Sequence, residues 1–107
     1  MLDWQQLRDI TLDDEELMRE VLASLLDDTT NQLELIGDAI RDQDQQKTIR
    51  LAHYCKGACA NVGANAAATV LKRMEEQAAS RSYADCAASL GNLMQELDRL
   101  RLESVNM

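Results

Sequence analysis

Proline, the residue that most strongly breaks a helix, does not occur once in the 107 residues, and phenylalanine is missing as well. Glycine occurs only four times. With so little to interrupt a helix and so few of the aromatics that favour strands, the chain is expected to be all-α. Its core must come from Leu, Ile, Val, Met and Ala, with Trp4, Tyr54 and Tyr83 as the only large rings. The length suits a single domain, 1–107, that buries roughly 60–70 % of the surface its unfolded chain exposes.

Apolar periodicity places the elements. Residues 3–10 make a short lead-in helix with Trp4 and Leu7 on one side. The run Thr11-Leu12-Asp13-Asp14-Glu15-Glu16 signals a helix start, with Asp13 as the cap, Glu16 three residues on, and acids at the positive end of the helix dipole. Leu17, Val21, Leu22, Leu25 and Leu26, then Leu33, Ile36 and Ile40, carry a long helix, with a kink or short break in the polar patch 27–31. After a polar turn at 42–45, a helix covers about 45–61 and is closed by Gly63. Another covers 64–79, apolar at Val70, Leu71 and Met74, and the last runs over 83–102, apolar at Ala87, Leu90, Leu93, Met94, Leu97 and Leu100. Four helices joined by short turns predict an antiparallel up-down four-helix bundle with a short N-terminal lead-in helix.

Charge divides the chain. Residues 1–46 carry thirteen acids and three bases, residues 47–73 carry five bases and no acid, and residues 74–107 carry six acids and three bases. A basic island therefore lies in a protein of net charge −8 and surrounds the only histidine, His53. The overall charge repels nucleic acid, and the helix offers no stacking platform, while the island invites an anionic visitor. No apolar run reaches the roughly 20 residues that span a membrane, and the N-terminus lacks a signal-peptide pattern, so a cytoplasmic protein is expected. Three cysteines, Cys55, Cys59 and Cys86, in apolar helical surroundings read as free thiols of a core.

At about 100° per residue, Leu51, Cys55, Ala58, Cys59 and Val62 fall opposite His53, and Lys56, Gly57, Ala60 and Ala64 fall on its side, although Ala64 lies past the expected end of the helix. The imidazole should face solvent with a cation and small residues beside it. His53 and Cys55 point about 200° apart on this count and no Cys-x-x-Cys occurs, so no metal site is expected. Neither a nucleophile elbow nor a glycine-rich phosphate loop is present, which argues against autonomous catalysis. An exposed neutral imidazole can attack phosphorus through one nitrogen while the other keeps its proton. Lys56 would offset the charge of the phosphoryl group, and Gly57, where a helix loses roughly 1 kcal/mol relative to alanine, would leave room for it.

The run from His53 to Ala64, His-Tyr-Cys-Lys-Gly-Ala-Cys-Ala-Asn-Val-Gly-Ala, resembles the motif of the histidine phosphotransfer (HPt) domain, in which His-x-x-Lys-Gly is followed by a Gly-Ala pair that ends the helix. The likeness extends from the Asp-Asp-Glu-Glu-Leu start through Met74-Glu75 to the final helix. It implies a bacterial-type phosphorelay intermediate, stoichiometric rather than an enzyme, whose histidine takes a phosphoryl group from a receiver-domain aspartate and passes it to another. It also implies that Glu75, twenty-two residues after His53, hydrogen-bonds the ring, orients it and selects its tautomer. Cys55 departs from the leucine usual in the family, and Cys59 lies where small or hydroxyl residues are common.

The partners implied are the receiver domains of a hybrid sensor kinase and of a response regulator, with Mg²⁺ supplied by the receiver and no cofactor of the chain's own. A docking surface is expected from Ile49, Arg50, Ala52, Lys56, Gly57, Ala60 and Lys72, on a monomer. The alternatives are a helical adaptor that binds receivers or kinases without phosphorylation, or a domain cut from a larger hybrid kinase. The short length and starting methionine favour a free-standing carrier.

Overall fold

The computed structural model describes residues 2–105, which form five helices: α1 (Trp4–Thr11), α2 (Glu15–Arg41), α3 (Gln45–Asn61), α4 (Asn65–Ala79) and α5 (Tyr83–Val105). Around the bundle α2 packs on α3, α3 on α4, α4 on α5 and α5 back on α2, while α1 lies against α2. The four long helices and the short first one are the architecture that the apolar spacing predicts. At about 1.5 Å per residue α2 alone spans about 40 Å, which sets the 42 Å long axis of the molecule.

Aspartates start three of the helices. The carboxylates of Asp3, Asp14 and Asp44 each accept a hydrogen bond from the backbone N–H three residues on, at 3.1 Å. The cap of α2 is thus Asp14 and not Asp13. Leu12 and Asp13 both take left-handed backbone angles in the turn after α1, and Asp13 N–H donates to the Arg8 carbonyl, so the new helix begins one residue later. No break occurs at 27–31. Thr29 is buried among the core helices while Asp27, Asp28, Thr30 and Asn31 face solvent, so the polar patch lies mostly on the outer side of a continuous helix.

Leu22, Ile36, Leu71, Met74, Leu93 and Leu97 are fully buried, together with all three cysteines. Each such leucine contributes roughly 1.5–3 kcal/mol by leaving water. Leu17, Ala87 and Met94, which share the apolar pattern, are instead exposed; the buried stripes of α2 and α5 are centred on Leu22 and Leu93, and these positions flank them.

Gly63 ends α3 at φ 82°, and a Cβ there would lie 2.6 Å from the Asp3 carbonyl oxygen. The segment before α1 crosses this point. Asp3 N–H donates to the Gly63 carbonyl at 2.7 Å, Leu2 and Ala64 form an antiparallel bridge, and Gln6 Nε2 donates to the Ala60 carbonyl at 2.6 Å. Ala64, placed on the histidine side by the angular count, is buried instead, because the helix has ended and Leu2 lies over it.

Candidate functional site

The third helix is buried on the side of Ala52, Cys55 and Cys59 and open on the side of His53, Gly57 and Ala60. The His53 side chain is 70 % exposed. Its Nδ1 lies 3.3 Å from both carboxylate oxygens of Glu75, which α4 presents from the neighbouring helix. The Lys56 ammonium, one turn after His53, reaches Oε1 of the same carboxylate at 2.8 Å, as an ion pair without well-directed hydrogen-bond geometry at that oxygen. The Glu75 side chain is 19 % exposed and that of Lys56 28 %, so this pair is far less solvated than the imidazole it flanks.

One carboxylate therefore serves two partners. An ionised carboxylate only accepts, so the ring nitrogen facing Glu75 must carry the proton, and the lone pair is left on Nε2. Such an arrangement can present a nucleophilic nitrogen on an exposed ring, with the other nitrogen turned to a carboxylate that a lysine holds in turn.

Beyond His53, a shallow groove between α3 and α4 is lined by Lys56, Gly57, Ala60, Asn65, Ala68, Thr69 and Lys72. Gly57 has no atom within 4 Å of where a Cβ would stand. Gly57, Ala60, Lys72 and Arg50 are exposed, and Ile49 is half-buried against the core. Ala52 is not on this surface: it is 0 % exposed. The angular count treats α3 as resting on one neighbour, but α2 and α4 both pack on it, which widens its buried arc to take in Ala52.

The groove residues Asn65, Ala68 and Thr69 lie outside the site that the sequence predicts. Their signal is the spacing back from Glu75 through Lys72 to 68/69 and 65, one face of α4 read in steps of three and four. Tyr54, next in sequence to His53, also lies outside it and is 60 % exposed.

Burial pushes the thiol of Cys55 up to about 11 and that of Cys59 up to about 12, the latter helped by the nearby Cys55. Cys86 is also raised, mainly by burial. Such thiols hold their protons at neutral pH and are poor nucleophiles. Among the described residues no group of three or more His, Cys, Asp or Glu side chains could hold a metal ion, and no helix is long and apolar enough to cross a membrane.

Residues 20–103 match the family model of the Hpt domain. Among solved structures, histidine-containing phosphotransfer protein B (HptB) from Pseudomonas aeruginosa PAO1 superimposes with a TM-score of 0.89 at 24 % identity, covering 98 % of this chain and 91 % of that one. A rice protein described as a histidine-containing phosphotransfer protein superimposes with a TM-score of 0.87 at 18 % identity, covering 98 % of this chain and 77 % of that one. At these identities both likenesses speak for the fold. No curated protein matches the sequence.

Proposed function

Because the chain belongs to the Hpt domain family, we propose that His53 accepts a phosphoryl group from a receiver-domain aspartyl phosphate of a hybrid sensor kinase and yields it to the receiver aspartate of a response regulator. The observation that carries this reading is the Glu75 carboxylate 3.3 Å from Nδ1 of a ring that is otherwise open to solvent. With Nδ1–H held in a hydrogen bond to Glu75, the Nε2 lone pair attacks phosphorus. The Nε2–P bond forms as the P–O bond of the acyl phosphate breaks, the receiver carboxylate leaves with the electron pair, and Glu75 faces the positive charge gained by the ring. Onward transfer reverses these changes.

Phosphoryl transfer depends mainly on position and charge, and the chain divides that work with its partner. Mg²⁺ and the acidic residues that bind it belong to the receiver. This chain supplies the nucleophile His53, the orienting carboxylate Glu75, the cation Lys56, and the open surface at Gly57 and Ala60. Ile49, Arg50, Tyr54 and Lys72 complete the docking face, whose basic character suits the acidic pocket of a receiver. The protein acts as a monomeric cytoplasmic carrier, residues 1–107 working as one phosphotransfer domain, used stoichiometrically and without turnover of its own.

A chase from a ³²P-labelled receiver tests this reading. Wild-type protein is expected to take up label and His53→Gln to take up none; equal labelling of the two proteins would overturn it.

A further inference from the structure

Lys56 is already committed in this structure. Its ammonium is 2.8 Å from Glu75, and the same carboxylate faces His53, so lysine, carboxylate and neutral imidazole together carry no net charge. A phosphoryl group on Nε2 brings close to two negative charges, and the ring, protonated at Nδ1, returns one positive charge. The phosphorylated cluster is left with about one uncompensated negative charge that Lys56 cannot cancel without abandoning Glu75.

A second cation is placed to meet it. Lys72 stands three residues before Glu75, one turn along α4, and lines the same groove as Lys56 and Gly57. It is exposed and forms no ion pair or side-chain hydrogen bond among the described residues. Between the two lysines the groove is floored by small side chains, and nothing stands within 4 Å of a Cβ at Gly57. We propose that the phosphoryl group on His53 lies over Gly57 between Lys56 and Lys72, and that Lys72 supplies the positive charge which Lys56 has given to Glu75. Lys72 is then a residue of the phosphoryl site rather than only of the docking rim. This inference rests on His53 being the acceptor.

Potassium phosphoramidate provides a test that needs no partner protein. Its P–N bond breaks, ammonia leaves with the electron pair, and the Nε2–P bond forms on the imidazole. The measured quantities are the rate of labelling by ³¹P NMR and its dependence on ionic strength, for wild type, Lys72→Gln and Lys72→Arg, with circular dichroism confirming the fold. We expect Lys72→Gln to label about three- to tenfold more slowly with a flatter salt dependence, and Lys72→Arg to recover most of the rate. Wild-type protein that labels while Lys72→Gln matches it in rate and salt dependence would overturn the role of Lys72 alone. A slow Lys72→Gln that Lys72→Arg does not restore would do the same, since charge would then not be the cause. Wild-type protein that takes no label on His53 would instead count against the carrier reading itself.

Discussion

Gly57 and Gly63 lie six residues apart at the end of one helical segment, and their surroundings are opposite. At Gly63 the chain's own backbone fills the space: φ is 82° and the Asp3 carbonyl oxygen would sit 2.6 Å from an added Cβ. At Gly57 nothing lies within 4 Å, and the backbone is ordinary α-helix. The fold itself explains the first glycine and cannot explain the second. What Gly57 leaves open is space for something outside the chain, and it is the space beside His53. The core side of the same helix, with Cys55 and Cys59, belongs with Gly63 in being filled by the protein itself.

The largest effect should come from filling the space that is already occupied. Gly63→Ala forces a left-handed angle on a residue with a Cβ and drives it into Asp3, and a loss of about 2–4 kcal/mol is expected in urea unfolding. The buried thiols give a pH-dependent counterpart. The folded state keeps the protons of Cys55 and Cys59 until about pH 11–12, whereas the unfolded chain releases them near the ordinary thiol value of 9.0. Their contribution to stability is complete below pH 9 and is lost as pH rises through the folded values, at up to about 1.4 kcal/mol per pH unit for each thiol. Urea midpoints measured from pH 8 to 11 should therefore fall less steeply in Cys59→Ala than in wild type.

On the open side the sign reverses. Gly57→Ala should stabilise the protein by about 0.5–1 kcal/mol, as alanine does in a helix, while slowing transfer from a phosphorylated receiver by about tenfold. Gly91, in the middle of α5 with equally open surroundings, is the control: Gly91→Ala should gain similar stability and leave transfer unchanged. If both substitutions slow transfer alike, the distinction drawn for Gly57 fails. The smallest effect belongs to Gln6→Ala, which removes the exposed hydrogen bond to the Ala60 carbonyl and should cost about 0.5 kcal/mol without altering transfer.

Much of this contrast can be read from the sequence, because it depends on spacing within one helix. The bounds of α3, the exposure of His53 and Gly57, and the burial of Cys55 and Cys59 all follow from a 3.6-residue period. The pairing of Glu75 with His53 needs the register of two helices, which periodicity does not contain; the family motif supplies it. The reading fails where tertiary neighbours decide. Ala52 disappears beneath two flanking helices, and Ala64 beneath the crossing N-terminal segment, a contact between residues some sixty positions apart. The tie from Asp3 and Gln6 to the end of α3 is carried largely by backbone groups, which leave no mark in the pattern of side chains. The commitment of Lys56 to Glu75 is invisible for a further reason: both are charged residues of ordinary surface type, and only their distance makes them one unit.

The most direct test of phosphorylation on His53 is the chemical form of the phosphorylated protein. After transfer from a phosphorylated receiver, ³¹P NMR under denaturing conditions distinguishes histidine phosphorylated at Nε2 from histidine phosphorylated at Nδ1. With Glu75 holding Nδ1, a single Nε2-phosphohistidine resonance is expected, absent from His53→Gln; phosphate on Nδ1 would rule out the orienting role of Glu75, and phosphate on any residue other than His53 would rule out His53 as the acceptor.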